Sequence, residues 1–191
     1  VSNGYQHTVA MRTNGTLWAW GLNTNGQLGL GTTVNASVPT QVPGTDWAFV
    51  SAGQYHTAAI KADGSLWAWG KNNYGQLGDG TLAQRTSPTR IGTDTAWVAL
   101  AAGYNHTLGI KADGSLWAWG LNDYGQLGLG DTTNESTPQR VGADSDWIAI
   151  AGSSSSSVGL KSGGALWTWG CNNSSQLGRG VPDVADPNPA Q

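Results

Sequence analysis

Residues 64–80 read "GSLWAWGKNNYGQLGDG", a stretch with two tryptophans, five glycines and two charged residues. Close copies occupy residues 15–31 ("GTLWAWGLNTNGQLGLG"), 114–130 ("GSLWAWGLNDYGQLGLG") and 164–180 ("GALWTWGCNNSSQLGRG"). Trp20, Trp69, Trp119 and Trp169 hold the same place in the four copies and lie 49, 50 and 50 residues apart. A period of about 50 residues is typical of propellers and helical arrays, so the local pattern must decide between them.

The residues around the start of each copy predict a β-hairpin. In "HTAAIKADGSLWAWG", residues 56–70, two apolar stretches flank the dipeptide Asp63-Gly64. Such dipeptides favour a two-residue type I′ turn, which needs a positive φ at both central residues. We therefore expect a two-residue hairpin in every repeat, since the same position holds Asn14-Gly15, Asp113-Gly114 and Gly163-Gly164.

Two further strands are predicted in each repeat. "DWAFVSAG", "AWVALAAG" and "DWIAIAGS" indicate a strand ahead of the hairpin. Pro39, Pro88 and Pro138 mark the entry to a fourth strand, placed at the sheet edge because proline cannot donate to a ladder. No window has a sustained helical period. The sequence predicts an all-β fold of four-stranded blades, as one repeat domain over residues 1–191 with repeats at 1–45, 46–95, 96–145 and 146–191.

The tryptophans of these repeats are expected to form the core. Trp67 and Trp69 alternate with Leu66 and Ala68, so both faces of the strand are apolar and both need cover. Radial stacking of blades in a β-propeller supplies that cover, with aromatic rings filling the space between blades. We assign this structural role to Trp18, Trp20, Trp67, Trp69, Trp117, Trp119, Trp167 and Trp169.

Composition excludes several classes of function. Charged residues make up 11% of the chain, against a usual share of about 25%. The net charge of −3 offers no electrostatic footprint for nucleic acid or an acidic membrane surface. No apolar run approaches the roughly 20 residues that span a bilayer. Cys171 is the only cysteine, so no intrachain disulfide can form and the compartment is left open.

The combination of "GxxHT", "DGSLWAWGxNxxGQLGxGT" and a following proline on a 50-residue period resembles the regulator of chromosome condensation repeat family. The resemblance covers residues 1–180. It implies a β-propeller, usually of seven blades, that serves as a protein-binding platform. Members include a guanine nucleotide exchange factor, a plant ultraviolet-B photoreceptor and bacterial proteins such as a β-lactamase inhibitor, and the bacterial kind is expected here. Repeats of 49 to 50 residues leave no room for the exchange factor's inserted wedge.

The histidines suggest a structural role rather than a metal or catalytic site. His7, His56 and His106 share one repeat position, which we match to Ser155 in the fourth copy. Equivalent positions on adjacent blades lie about 10 Å apart, too far to share an ion bound at about 2 Å. We expect each histidine to fix a strand entry by hydrogen bonding to the backbone, and we expect no metal and no cofactor.

A hydrolase is the alternative function. It would use a serine of the run at 153–157 with a histidine from another blade and a nearby aspartate. No "GxSxG" elbow is present, and a serine run of this kind is typical of a polar loop.

The variable loop residues favour a non-enzymatic binding surface for a protein partner. Tyrosine with asparagine and glutamine supplies apolar area and polar tips at low entropic cost, a composition favoured at interfaces. Variation between repeats falls in these loops while the core positions repeat, as in a scaffold with adaptable loops. The predicted partner-binding residues are Tyr5, Gln6, Gln54, Tyr55, Tyr104, Asn105, Tyr74 and Tyr124.

The repeat count also predicts an assembly. The chain has four "WxWG" units but only three strands of the "DW" type. An incomplete ring exposes a blade face of tryptophans to water, whereas two chains together supply eight blades. We expect a homodimer that completes one ring. A clipped fragment of a seven-bladed ring is the alternative.

Overall fold

The computed structural model describes residues 1–180 and 183–190, with side chains throughout except at 183–185. These residues form four antiparallel sheets of four strands, with no helix, and each sheet is hydrogen-bonded in chain order. Blade one contains β1 (Ser2–Asn3), β2 (His7–Met11), β3 (Leu17–Gly21) and β4 (Ala36–Gln41). Blade two contains β5 (Trp47–Ala52), β6 (His56–Lys61), β7 (Leu66–Gly70) and β8 (Arg85–Arg90).

The last two blades repeat this plan. Blade three contains β9 (Trp97–Ala102), β10 (His106–Lys111), β11 (Leu116–Gly120) and β12 (Glu135–Arg140). Blade four contains β13 (Trp147–Gly152), β14 (Ser156–Lys161), β15 (Leu166–Asn172) and β16 (Asp183–Ala190). The first strands of successive blades contact one another, and the four blades do not close into a ring. The predicted all-β propeller of four-stranded blades is confirmed. Val181, Pro182 and Gln191 of the fourth repeat lie outside the described residues.

The hairpin between the second and third strands forms as expected, but its turn type was predicted wrongly. Gly64 has a φ of 77°, whereas Asp63 is not among the positive-φ residues. The Gly64 N–H donates to the Lys61 carbonyl, and the Lys61 N–H donates to the Ser65 carbonyl. These two bonds give a three-residue loop closed by a glycine bulge. The reason is the carboxylate of Asp63, which accepts hydrogen bonds from the Ser65 N–H and hydroxyl at 2.9 and 2.6 Å.

The prolines lie inside the outermost strands rather than at their entry. Pro39 is the fourth residue of β4, and Pro88 and Pro138 are the fourth residues of β8 and β12. Each of these strands pairs on one side only, with an irregularity in its register against the third strand. The predicted edge position is therefore correct, and the predicted entry position is wrong.

Neighbouring blades pack through two unlike faces. Leu66 and Ala68 of β7 are completely buried in a cluster with Trp97 and Trp119 of blade three. The opposite face of the same strand carries Trp67 and Trp69 toward blade one. In blades two to four the tryptophan that opens the first strand meets both tryptophans of the third strand edge to face, with ring centroids 5.7–6.1 Å apart.

A hydrogen-bond network, here called the clamp, joins each blade to the next. In the first clamp the carbonyl of Gln27 accepts from the hydroxyl of Thr57 at 2.8 Å and from Trp69 Nε1 at 3.0 Å. The Thr57 hydroxyl oxygen also lies 3.1 Å from His7 Nε2. The second and third clamps repeat this arrangement with His56, Gln76, Thr107 and Trp119, and with His106, Gln126, Ser157 and Trp169.

The clamp fixes the tautomer of its histidine. Because the single proton of the Thr57 hydroxyl goes to Gln27, the hydroxyl oxygen must accept from His7, and Nε2 carries the proton. Burial lowers the pKa of His7 to about 4, which keeps the ring neutral. The structural role of the histidine was anticipated, but its expected backbone partner was wrong, because the partner is a hydroxyl on the next blade.

Candidate functional site

The candidate site lies at the end of the blades where the second strands begin and the third strands end, here called the upper face. Each "GxxHT" loop closes on itself, with Gly53 N–H donating to the His56 carbonyl at 2.9 Å. A Cβ at Gly53 would lie only 2.2 Å from His56 Cε1, so this position must be glycine when histidine follows. The clamp histidine thereby holds the loop, and the two residues between the glycine and the histidine project onto the upper face.

Four loops, one from each blade, are linked into an arc around a cavity of about 500 Å³. The N–H groups of Tyr5, Gln54 and Tyr104 donate to the carbonyls of Gln54, Tyr104 and Ser153 in the next blade, at 3.4, 3.3 and 3.1 Å. The cavity is lined by the polar and aromatic residues Asn3, Tyr5, Gln54, Tyr104, Ser153 and Ser154, together with glycines and alanines of the four loops. Tyr5 is 59% exposed and Tyr104 is 42% exposed. The arrangement is an open concave surface with aromatic walls.

A row of aromatic rings, here called the tyrosine row and formed by Tyr5, Tyr55 and Tyr74 with Lys71, continues from the cavity across blade two. The rings of Tyr5 and Tyr55 meet edge to face at 5.9 Å. The Lys71 ammonium lies 5.6 Å from the centre of the Tyr55 ring and 5.7 Å from that of Tyr74. Lys71 was not among the binding residues predicted from the sequence. Its signal was present, because Lys71 fills a repeat position that holds Leu22, Leu121 and Cys171 elsewhere.

The remaining predicted residues also lie in loops of the upper face. Asn105 accepts a 3.4 Å hydrogen bond from the side-chain amide of Gln76, and Gln6 is exposed. Tyr124 is 36% exposed and makes no ring contact with the tyrosine row. Within residues 1–180 and 183–190, the amide nitrogens of Gln27 and Gln126 are buried without a hydrogen-bond partner.

The fourth loop corrects the sequence alignment of the histidine position. Ser156 pairs with Gly170 as His106 pairs with Gly120, so Ser156 occupies the histidine position and the match to Ser155 was wrong. Ser153 takes the place of the loop glycine. The hydroxyls of Ser153 and Ser156 lie 2.7 Å apart. Together these two serines occupy the positions that glycine and histidine fill in the other three loops.

One serine does approach a histidine, but the pair has no catalytic geometry. Ser157 Oγ lies 3.0 Å from His106 Nε2, and the serine is completely buried. Its proton goes to the Gln126 carbonyl at 2.7 Å, so the histidine donates to the serine instead of accepting from it. His106 Nδ1 has no partner among the described residues, and no carboxylate orients it. The pair is the third clamp.

The described part of the chain contains no group of three or more His, Cys, Asp or Glu side chains that could hold a metal ion. It also contains no helix that could cross a membrane. The upper face is a concave surface of tyrosine rings, side-chain amides, serine hydroxyls and the Lys71 ammonium group.

Comparisons with known proteins place this architecture. The RCC1-like domain model matches residues 1–191. Human WBSCR16 superimposes with a TM-score of 0.85 at 24% identity, covering 98% of this chain and 50% of that protein. Prp20p from Saccharomyces cerevisiae, studied for its binding to Gsp1p and histones, superimposes with a TM-score of 0.88 at 23% identity, covering 98% of this chain and 48% of that protein. Yeast RCC1 (Prp20) bound to Kap60 superimposes with a TM-score of 0.86 at 23% identity, covering 98% of this chain and 47% of that protein. The chain spans about half the length of these relatives, and it belongs to the family of RCC1-like propellers.

Proposed function

We propose that this chain is a non-enzymatic scaffold that binds a protein partner on its upper face, through the tyrosine row and the cavity beside it. The observation that carries the proposal is the placement of Tyr5, Tyr55, Lys71 and Tyr74 in one continuous contact row. Tyrosine and lysine side chains that stack on one another are preorganised, so little conformational entropy is lost when a partner covers them.

The relatives support a protein partner. Prp20p binds Gsp1p and histones, and yeast RCC1 has been seen bound to Kap60. These proteins share the fold of this chain at 23% identity, so they support the class of partner and not its identity. The non-enzymatic part of the proposal rests on the reversed Ser157–His106 hydrogen bond and is tested by assaying the purified chain against a panel of ester and amide substrates.

Replacing Tyr5, Tyr55 and Tyr104 together by alanine is expected to weaken partner binding by about tenfold or more, equal to about 1.4 kcal/mol. The reason is the loss of exposed aromatic area from the centre of the proposed surface. The partner is first captured from a proteome with the wild-type chain, and the dissociation constants of both proteins are then measured by calorimetry.

The matched control changes three exposed apolar residues at the opposite end of the first strands, Phe49→Ala, Val98→Ala and Ile148→Ala. We expect this variant to bind as tightly as the wild type. Equal binding by the tyrosine variant, with its circular dichroism unchanged, would move the interface away from the upper face. Weak binding by the control alone would place it at the opposite end.

We further propose that two copies of this chain associate into a shared ring. The support is the tryptophan face of blade one, where Trp20 is half-buried while its counterparts Trp69, Trp119 and Trp169 are completely buried between blades. The Thr8 hydroxyl and Trp20 Nε1, the counterparts of the Thr57 hydroxyl and Trp69 Nε1, have no hydrogen-bond partner among residues 1–180 and 183–190. In a shared ring, the Gln176 carbonyl of the other copy would occupy the acceptor position of the clamp.

Light scattering coupled to size exclusion is expected to give twice the 19.8 kDa chain mass at high micromolar concentration. Trp20→Glu should return the mass to that of a monomer, because a carboxylate would be buried without a partner. A wild-type chain that stays monomeric at every concentration would overturn the shared ring.

A further inference from the structure

A cluster of one lysine and two tryptophans, here called the lysine cluster, lies in each of blades two to four at the end opposite the upper face. The lysine is the last residue of the second strand, and the tryptophans come from the first and third strands of the same blade. Each ammonium nitrogen lies 3.6–5.0 Å from the centres of both rings. Contact with two rings restrains the side chain and stabilises its charge. The three lysines are Lys61, Lys111 and Lys161.

In blades three and four, an aspartate from the loop before the first strand completes the cluster. Asp94 Oδ2 lies 2.6 Å from Lys111 Nζ, and Asp144 forms an ion pair with Lys161. Each aspartate stands three residues before the tryptophan that opens the first strand. Two copies of the cluster within this chain therefore bind the same chemical group, a side-chain carboxylate.

The lysine cluster of blade two lacks this carboxylate. Its loop, residues 42–47, is one residue shorter than the equivalent loops at 91–97 and 141–147, and Gly44 stands where the others have aspartate. Within residues 1–180 and 183–190, the Lys61 ammonium group makes no hydrogen bond and no ion pair. Its N–H donors are therefore available to a ligand.

The acidic residues near Lys61 are engaged elsewhere. The carboxylate of Asp46 accepts a hydrogen bond from the Thr45 hydroxyl at 3.0 Å. The carboxylate of Asp63 accepts from the N–H and the hydroxyl of Ser65. Neither carboxylate pairs with Lys61, so the described part of the chain does not supply the group that blades three and four provide.

The position of the missing carboxylate is open to solvent. A Cβ on Gly44 would lie 3.6 Å from both Lys61 Nζ and Trp47 Nε1, which leaves room for an atom there, and Gly44 is exposed. Trp47 Nε1 is buried with no hydrogen-bond partner among the described residues. Trp97 and Trp147 share that property although their blades hold an aspartate, so the ammonium group is the main donor in each cluster.

We propose that the lysine cluster of blade two binds a carboxylate from outside the chain, the side chain of an aspartate or glutamate in a protein partner. The two rings hold the ammonium group in place before the ligand arrives, so little conformational entropy is lost on binding. A single ion pair at a surface is weak, and the site therefore fixes the position of one acidic residue of a larger partner. The inference does not rest on the tyrosine row, which lies at the other end of the blades.

The probe is the blocked peptide acetyl-Gly-Asp-Gly-amide, compared at constant ionic strength with acetyl-Gly-Asn-Gly-amide, which has the same shape without the charge. Binding is followed through the indole N–H signals in proton–nitrogen NMR spectra of the whole chain. We expect the aspartate peptide to shift the Trp47 and Trp67 signals saturably, with an affinity at least about tenfold above that of the asparagine peptide.

Two lysine variants locate the binding site. Lys61→Gln should abolish the shifts, because it removes the ammonium group. Lys111→Gln is the matched control, since it makes the same change in a cluster that already holds a carboxylate, and it should leave the shifts of Trp47 and Trp67 unchanged. Thermal melting shows that each variant is folded.

Asp94→Gly tests the inference by gain of function. The substitution gives the cluster of blade three the composition of blade two, so saturable shifts should also appear at Trp97 and Trp117. Equal binding of the two peptides, shifts that survive Lys61→Gln, or an unchanged blade three in Asp94→Gly would overturn the site. Tighter binding of inorganic phosphate than of the aspartate peptide would overturn the carboxylate as its ligand.

Discussion

Replacing Trp119 by alanine is expected to lower the free energy of unfolding by about 4 kcal/mol. The side chain is completely buried between blades two and three, 5.7 Å from the Trp97 ring. Its Nε1–H donates to the Gln76 carbonyl at 3.0 Å, so the truncation leaves both a cavity and a weakened clamp. Urea unfolding followed by far-UV circular dichroism measures the change.

Two companion variants separate the cavity from the hydrogen bond. Trp119→Phe keeps much of the apolar area and loses the donor, so we expect a loss of about 1–2 kcal/mol. Trp18→Ala lies on the open face of blade one, where the ring is half-buried beneath Arg12, and should cost only about 1 kcal/mol. Equal losses for Trp18→Ala and Trp119→Ala would mean that the contacts between blades do not govern stability.

Acidification from pH 7 to pH 5 is expected to destabilise the chain by about 2 kcal/mol for each clamp histidine. Burial lowers the pKa of His7 and His106 to about 4, and burial with the nearby His106, His7 and Lys71 charges lowers that of His56 to about 3. The unfolded chain, with pKa values near 6.5, binds more protons than the folded chain in this range. The contribution of the neutral histidines to stability is therefore fully present above about pH 6.5 and is lost as the pH drops toward 4.

The physical cause is the position of the second ring nitrogen. Nε2 already donates to the next blade, so an added proton would sit on Nδ1, which is buried without a partner in all three clamps. Hydrogen bonds from Ser65 and Ser115 lower the pKa of Asp63 and Asp113 below 3.8, so these carboxylates weaken the fold only in more acidic solution. The interval between pH 6.5 and 4 thus reports on the histidines.

Urea midpoints measured from pH 7 to pH 4 test this expectation. His56→Gln removes one titrating group and should flatten the curve while lowering stability at pH 7. A midpoint that stays constant between pH 7 and pH 5 in the wild type would contradict the buried neutral histidines. NMR titration of the imidazole Cε1–H signals gives the folded pKa values directly.

The repeat core could be predicted from the sequence because each of its residues follows a pattern that is visible within its own strand. Alternation of Trp67 and Trp69 with Leu66 and Ala68 shows on its own that a sheet needs cover on both faces. A proline such as Pro88 marks an edge strand without knowledge of its neighbours. The conformation of the hairpin turn was harder to predict. The hydrogen bonds from Ser65 to Asp63 decide the turn type, and the dipeptide Asp63-Gly64 alone does not reveal them.

Contacts between repeats could not be predicted from the sequence. Nothing in "GQYHT" indicates that His56 reaches Thr107, because the two residues are 51 positions apart and meet only when blades stack. The role of Lys71 was also not predicted, although Tyr55 and Tyr74 lie in the same repeat, because the two rings come from different loops of blade two. The serine run at 153–157 was interpreted as a polar loop, and the predicted histidine position, Ser155, lies one residue before the observed one, Ser156.

The prolines in the outermost strands have a consequence for solubility. Only 11% of the residues are charged, so electrostatic repulsion does little to keep copies of this chain apart. Each outermost strand exposes a free backbone edge that another molecule could extend by β-augmentation, the first step toward fibrils. Pro39, Pro88 and Pro138 each remove an amide from that edge, and Arg85, Arg90 and Arg140 place charges along it. Replacing the three prolines by threonine would thus create a chain that folds into the same blades and aggregates through their rims.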